Sequence, residues 1–462
     1  MTTTLRRHLA LLVSAAGAMI VALDGTVLLV AQPSLQHDLG ASVAQVQWTS
    51  TGYLLAVAAL LVFAGRLGDR YGHKRLLSLG VLGFGAASAG IAVAPTVGWV
   101  IGLRAAQGVF GALLQPATLA LLRLTYPPDR LGTPVAIRTS AIGVAAGAGP
   151  LLGGVLVEHL GWRAVFWVNV PAALAIAALT LAVPAPTPER TRSERLDLAG
   201  AALLASALAV LVHTLVGVPA HGWSGAPTLY GLAAAAGVVA VLVVQQRRTA
   251  HPIVPPAVAR SVPVTASMAI LLLTTGGLFG ALFVTTFFLQ NTLRLDPLAT
   301  GLRVLPLTAL MVLGAPLAGA ALRRSGPRRT AVAGTVLVVL GIVGVSRLDA
   351  AGTWVSTGAT FAVLGAGFAT VMVTATGTVV GDAPPGYAGV VGGLKQTAMN
   401  VGPTFGIAVA AGMMLLEPPA AGPSAAGATT AMSNPAMGPT LLVLAAVSAL
   451  ALLPASLLPR GQ

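Results

Sequence analysis

The chain has 462 residues, 56% hydrophobic and only 8% charged, with a mean hydropathy of +0.88, so it cannot cover a water-soluble surface, and an all-α integral membrane fold in the lipid bilayer is expected. The net charge of +14 would suggest a nucleic-acid binder in a soluble protein, but the basic residues sit in short gaps between apolar runs, and no nucleic-acid partner is expected. Cysteine is absent, which excludes disulfides, thiolate metal sites and cysteine nucleophiles.

A helix that crosses the hydrocarbon core needs about 20 mostly apolar residues. Six runs of that length lie near 9–31, 46–65, 76–94, 98–121, 136–158 and 163–183. A break rich in Pro and Arg at 184–195 precedes two more, near 196–216 and 228–245. The basic segment 246–263 leads to a last six, near 265–289, 300–322, 329–346, 354–379, 388–415 and 438–458. The pattern predicts 14 transmembrane helices arranged 6 + 2 + 6. Residues 1–185 form a first six-helix bundle, 186–262 two inserted helices with linkers, and 263–462 a second six-helix bundle. Arg6 and Arg7 before an apolar run could pass for a signal peptide, but the run is read as span 1.

Loop charge fixes the expected orientation. Arg66, Arg70, Lys74, Arg75, Arg123, Arg130, Arg138, Arg190, Arg192, Arg195, Arg247, Arg248, Arg260, Arg323, Arg324, Arg328 and Arg329 all fall in loops on one side, while Arg163, Arg294 and Arg347 fall on the other. By the positive-inside rule both termini are cytoplasmic. Only two of the 26 basic residues are lysines, Lys74 and Lys395, a bias compatible with a GC-rich bacterial genome and hence a bacterial plasma membrane. Ala, Gly, Pro and Ser dominate 417–439, which is expected to be a flexible external loop.

Residues Gly65 to Arg75 read GRLGDRYGHKR, and Gly319 to Arg329 read GAALRRSGPRR. The two align Gly319 on Gly65, Arg324 on Arg70, Gly326 on Gly72 and Arg328-Arg329 on Lys74-Arg75, with Arg323 in place of Asp69. Two six-span halves of common ancestry would look like this.

The first copy fits G-x-x-x-D-R-x-G-x-R/K-R/K and resembles the loop between spans 2 and 3 of the major facilitator superfamily. Further segments resemble its fourteen-span drug:proton antiporter family. Span 1 carries LDGTVLLVAQP from Leu23 to Pro33, where Leu29 and Gln32 depart from the family pattern. Span 4 carries Arg104-Ala-Ala-Gln-Gly108, and span 5 carries Gly149-Pro-Leu-Leu-Gly-Gly154, followed by Trp162-Arg163, Phe166 and Asn169-Val-Pro171. Phe288-Leu-Gln290 with Pro297, Gly301 and Leu305-Pro306, and Lys395-Gln396 with Gly402 and Gly406, match the second half. The resemblance implies a proton-coupled exporter of hydrophobic drugs or antibiotics that works by alternating access, as a monomer, with protons and a small hydrophobic substrate as partners and no cofactor.

Asp24 is the one carboxylate well inside a span, and an ionisable group at membrane depth costs about 2.5–3.5 kcal/mol or more unless protein or water receives it. Facing a central cavity, it could take up a proton or hold a cationic substrate, two states that exclude each other. The alternative is a carboxylate near the outer interface that caps neighbours such as Thr26. Arg104 is the one arginine deep in an apolar run and cannot shed its proton. Its resemblance-implied role is proton coupling; backbone carbonyls and Gln107 could equally hold it, and Asp24 is its candidate partner. Gly65, Asp69, Arg70, Gly72, Lys74 and Arg75 are the expected cytoplasmic gate: Asp69 could pair with Arg70 and Arg75 and with the positive end of a neighbouring helix, holding the outward-facing state. The arginines also act as topology signals. Gly149, Pro150, Gly153 and Gly154 form a small-residue face with a proline kink, an antiporter hinge by resemblance or a plain packing groove. Gln115, Gln290, Asn291, Lys395, Gln396 and Asn400 are candidates to line the pathway.

No phosphate-binding loop of the GxxxxGK-S/T type is present, so an ion gradient rather than ATP is the expected energy source. An integral-membrane enzyme would need His, Asp or Glu clustered near an interface, whereas the 7 His and 12 acids are scattered. A dedicated exporter of an endogenous metabolite or lipid remains the alternative within transport.

Overall fold

The computed structural model describes residues 3–41, 43–127, 130–183, 197–250, 252–289, 293, 295, 297–348, 354–384, 387–414 and 434–460. These form α1 (Thr3–Asp38), α2 (Val43–Tyr71), α3 (His73–Ala92), α4 (Val97–Thr125), α5 (Gly132–Leu160), α6 (Trp162–Trp167), α7 (Asn169–Ala182), α8 (Leu198–His221) and α9 (Ala226–Arg248). There follow α10 (Pro256–Ala259), α11 (Val262–Phe287), α12 (Pro297–Val345), α13 (Trp354–Gly381), α14 (Ala388–Met414), α15 (Asn434–Ala449) and α16 (Leu452–Ser456). No strand occurs among the described residues. In lipid every backbone N–H and C=O must be satisfied within the segment, and an Ala-, Val- and Leu-rich chain with few polar side chains meets that demand only as helix. Helix ends follow local chemistry: α4 stops at Thr125, just before Tyr126 and Pro127, because a residue that precedes proline is pushed out of the α region.

Twelve helical segments among the described residues are long and apolar enough to cross a membrane, so the protein is a multi-pass membrane protein. One of them lies in α12. A straight helix of its 49 residues would be about 74 Å long, more than twice the hydrocarbon thickness. Gly326, at φ 75 and ψ 170, breaks it. The corresponding turn in the first copy of the repeat is Gly72, at φ 96 and ψ 127. The two glycines that align in sequence thus take the same left-handed backbone, which a side chain would disfavour. The 27-residue α14, which carries Lys395, Gln396 and Asn400, is not one of the twelve.

The chain divides into two compact units. The first comprises residues 1–209, 235–265 and 376–397, so the turn between α13 and α14 belongs to it. Its core packs Leu61 of α2, Leu77 and Phe84 of α3, Leu114 and Leu121 of α4 and Ile176 of α7. A second cluster joins Leu28 and Leu35 of α1 to Ile91, Val100 and Phe166. The other unit, residues 210–234, 266–375 and 398–462, is built on Ile270, Leu278, Val338, Phe361, Leu364 and Leu441.

Candidate functional site

Asp24 and Arg104 meet in the interior of the first unit. Each is almost fully buried, at 2% and 1% exposure, and Arg104 Nη1 donates to Asp24 Oδ2 at 2.6 Å. The other carboxylate oxygen accepts from Asn169 Nδ2 at 2.9 Å and Gln107 Nε2 at 3.2 Å. The guanidinium also donates to Gln107 Oε1 at 2.6 Å and to the Thr49 carbonyl at 3.0 Å, and it lies over the Tyr53 ring, 4.4 Å from the centroid. Gln107 Nε2 further donates to Ser88 Oγ at 2.7 Å. Arg104 and Gln107 share one face of α4 because residues three apart on a helix are neighbours. Five helices, α1, α2, α3, α4 and α7, therefore converge on one charge pair.

A buried ion pair survives only if its remaining lone pairs and protons are also satisfied, and here the carboxylate has three donors and the guanidinium three acceptors plus a ring. One polar atom in the cluster is left over: Tyr53 Oη is buried without a partner among the described residues. Beside Asp24 lies a small cavity of about 130 Å³, walled by α1, α5 and α7 with Leu23, Val27, Leu152, Val168 and Asn169 among its lining. Apart from Asp24 and Asn169 its lining is apolar.

Of the expected gate residues, Asp69 and Gly65 meet the start of α14, while Lys74, Arg70 and Arg75 lie elsewhere. Asp69 accepts from the backbone N–H of Gly389 at 2.8 Å and of Val390 at 3.2 Å, and meets His73 Nε2 at 3.0 Å. Gly389 and Val390 are in the first turn of α14, whose unsatisfied N–H groups and positive dipole end favour an anion. Gly65 permits the approach: a Cβ there would run into the Gly389 carbonyl, and one at Gly389 into the Gly65 carbonyl. Lys74 Nζ caps the end of α7, donating to the carbonyls of Leu181 at 2.9 Å and Val183 at 2.7 Å. Arg70 stacks on Tyr71, 5.3 Å from the ring centroid, and Arg75 is exposed. His73, which sequence reasoning passed over, is the side chain that pairs with Asp69.

Gly149 and Gly153 of α5 pack against α1 one turn from Asp24. A Cβ at Gly149 would strike Thr26, and one at Gly153 would press on Val27, whereas Gly154 faces open space. Pro150 lies within α5. Gln115 is buried on α4, Lys395 is 1% exposed on α14, Gln396 is half-buried, and Asn400 has a buried Nδ2 without a partner among the described residues. Gln290 and Asn291 lie outside the described residues. Arg138 departs from expectation. Read from sequence as a loop charge, it sits inside α5 with 4% exposure, because α5 begins at Gly132, before the apolar run near 136. Thr49, Tyr53 and Ser88 were also missed: a hydroxyl in an apolar run carries no signal until a partner comes into view.

A membrane-buried charge network inside an all-helical, multi-pass protein is the mark of a transporter rather than an enzyme. The sequence model of the Major Facilitator Superfamily matches residues 14–407, and the chain belongs to that superfamily. It is 42% identical over 399 residues to the tetracenomycin C resistance and export protein of Streptomyces glaucescens, covering 86% of this chain and 74% of that one. It is 34% identical over 410 residues to a puromycin resistance protein of Streptomyces alboniger, covering 87% and 81%. The crystal structure of a human organic anion transporter superposes with a TM-score of 0.69 at 16% identity, over 97% of this chain and 99% of that one, a likeness of fold.

Proposed function

We propose that the protein is a proton-coupled antiporter of the plasma membrane that exports hydrophobic antibiotics or drugs, with both termini cytoplasmic. Two relatives named for resistance to tetracenomycin C and to puromycin support the substrate class, and the excess of loop arginines on one side supports the orientation. The break in α12 at Gly326 and the length of α14 support reading fourteen spans where twelve segments are apolar enough to be counted.

The Asp24–Arg104 pair carries the coupling reading. When a proton reaches Asp24, the carboxyl group loses its charge and its claim on Arg104, whose guanidinium retains Thr49 O, Gln107 Oε1 and the Tyr53 ring. The freed interaction changes how α1 sits against α4. Because Gly149 and Gly153 hold α5 against α1 beside this carboxyl, the change reaches α5 without passing through solvent. Release of the proton on the other side restores the pair.

The test is efflux of tetracenomycin C and puromycin from cells expressing the protein, with and without a protonophore. Export that stops with the protonophore and is abolished by Asp24→Asn is the expected result. Export that persists under both conditions would remove proton coupling at Asp24 from the reading.

A further inference from the structure

A pair of buried cations also lies in the first unit, and no acid among the described residues answers it. Arg138 on α5 is 4% exposed and Lys395 on α14 is 1% exposed, and both elements rest on the same stretch of α4, Arg138 through Thr118 and α14 through Gly392 against Pro116. Arg138 Nη2 donates only to a neutral hydroxyl, Thr118 Oγ1, at 3.1 Å, and its buried Nε has no partner among the described residues. The carboxylates of the described chain are engaged elsewhere or exposed: Asp24 with Arg104, Asp38 with Arg163, Asp69 with His73, Asp197 with Gln245 and Gln246, Asp382 beyond the end of α13 and Glu158 at the surface.

The surroundings place the pair in one polar locus. Thr118 and Gln115 are buried on the same stretch of α4, and Ser14 Oγ of α1 donates to the Thr118 carbonyl at 2.7 Å. On α14, Gly392 comes against Pro116 and Gly393 against Leu61 and Val62, which sets Lys395 one turn beyond the point where α14 meets α4 and α2. Thr118 is 14 residues from Arg104 along α4, about 21 Å at 1.5 Å per residue. The locus is thus separate from the Asp24 site.

Arginine cannot shed its proton, so this interior keeps at least one full positive charge, and burying a charge without a counter-charge is costly. The contrast with Arg104, which has a carboxylate, two further oxygen acceptors and an aromatic ring, marks Arg138 as a cation whose complement is an anionic group. Resting on the export reading above, we propose that Arg138 and Lys395, with Gln115 and Thr118, form the binding site for an organic anion, so that the exported substrate class is an aromatic compound bearing a carboxylate, phenolate or sulfonate. Exchange of such an anion for an entering proton moves positive charge inward in both half-steps, and the interior-negative membrane potential drives it.

Two xanthene dyes of similar scaffold and opposite charge test this. Fluorescein, an anion, and rhodamine 6G, a cation, are titrated against purified full-length protein. Wild type is expected to bind fluorescein at least about tenfold tighter than rhodamine 6G, with affinity falling as salt rises. Arg138→Gln and Lys395→Gln should each weaken fluorescein about tenfold or more, the scale of a lost charge-assisted hydrogen bond, and Lys395→Arg should restore most of it. Neither Gln variant should lower the unfolding temperature, because each removes a buried unpaired charge. Unchanged fluorescein affinity in both Gln variants, no preference for the anion, or no binding of fluorescein to wild type would overturn the assignment. Proton-driven transport of each dye into everted vesicles separates the two readings. Transport of rhodamine 6G without fluorescein binding overturns the anion site and leaves export standing, whereas fluorescein binding without any driven transport supports the site and counts against export.

Discussion

Asp69→Asn tests the contact between α2 and the start of α14. The substitution keeps side-chain size and one acceptor oxygen but turns the other into a donor, so of the three donors at Gly389, Val390 and His73 at least one faces another donor. A hydrogen bond to a charged group contributes about 1.5–3 kcal/mol, and a charge at a partly buried helix N-terminus about 0.3–2 kcal/mol. The two overlap, since the same N–H groups make both, and about 2–3 kcal/mol is the expected weakening. At about 1.36 kcal/mol per factor of ten, the population with α14 lifted from α2 rises about 30- to 150-fold.

The chain has no cysteine, so a single introduced thiol reports this opening cleanly. Val390 is fully buried at the contact, and Val390→Cys leaves the backbone donor in place. When opening and closing are fast relative to modification, the rate of labelling by a maleimide follows the open population. Labelling of Val390→Cys should therefore quicken about 30- to 150-fold when Asp69→Asn is added, and should not change when Asp38→Asn, at the far end of α1, is added instead. Equal rates with and without Asp69→Asn would refute the argument that this carboxylate holds α14 on α2.

What the sequence made legible followed from strong local physics. Apolar length located the helices with ends off by up to seven residues, as at α1, and the repeat marked the turn at Gly326, because a left-handed glycine leaves a mark that survives the loss of Asp69 from its second copy. The convergence of Asp24 on Arg104 was reachable by elimination, since a guanidinium at membrane depth needs an anion and few acids are on offer. The rest depended on which helices touch. His73 is one turn from Asp69 on the other side of Gly72, and only the fold of that turn brings the ring back to the carboxylate. Arg138 looks like one more loop arginine because hydropathy sets the edge of a span where apolar residues begin, whereas the helix itself starts earlier. Lys395 gave no hint of its surroundings because α14 rests there on α2 and α4, more than 200 residues away. Ser88, Thr49 and Tyr53 are common residues, and only packing around Arg104 selects them.

Three further substitutions probe the same arrangement. Gly149→Ala places a methyl group against Thr26 and should destabilise the protein by about 1–3 kcal/mol, as overpacking does, while Gly154→Ala, which meets nothing within 4 Å, should leave the unfolding temperature unchanged; equal losses would mean that α5 does not rest on α1 through Gly149. Hydrogen bonds from Trp162 and Arg163 hold the Asp38 carboxyl below its usual pKa. A depressed carboxylate contributes stability that is present above its unfolded pKa and lost as pH falls through the folded one, so thermal stability should drop more steeply below about pH 4 in wild type than in Asp38→Asn, and parallel pH profiles would contradict this. The buried pair is best read by a double-mutant cycle on unfolding free energy. Arg104→Gln strands a carboxylate that has only the neutral donors of Asn169 and Gln107, a loss of about 3–5 kcal/mol. Asp24→Asn leaves the guanidinium with Thr49 O, Gln107 Oε1 and the Tyr53 ring, a loss closer to about 1–3 kcal/mol. The double variant strands neither charge and should lose less than the sum by about 2 kcal/mol or more, within the range of coupling for residues in contact. The asymmetry is the informative part: a site in which neutralising the acid is cheaper than neutralising the base is one that a proton can open, and strict additivity or the reverse order would mean that Asp24 is not the group the proton takes.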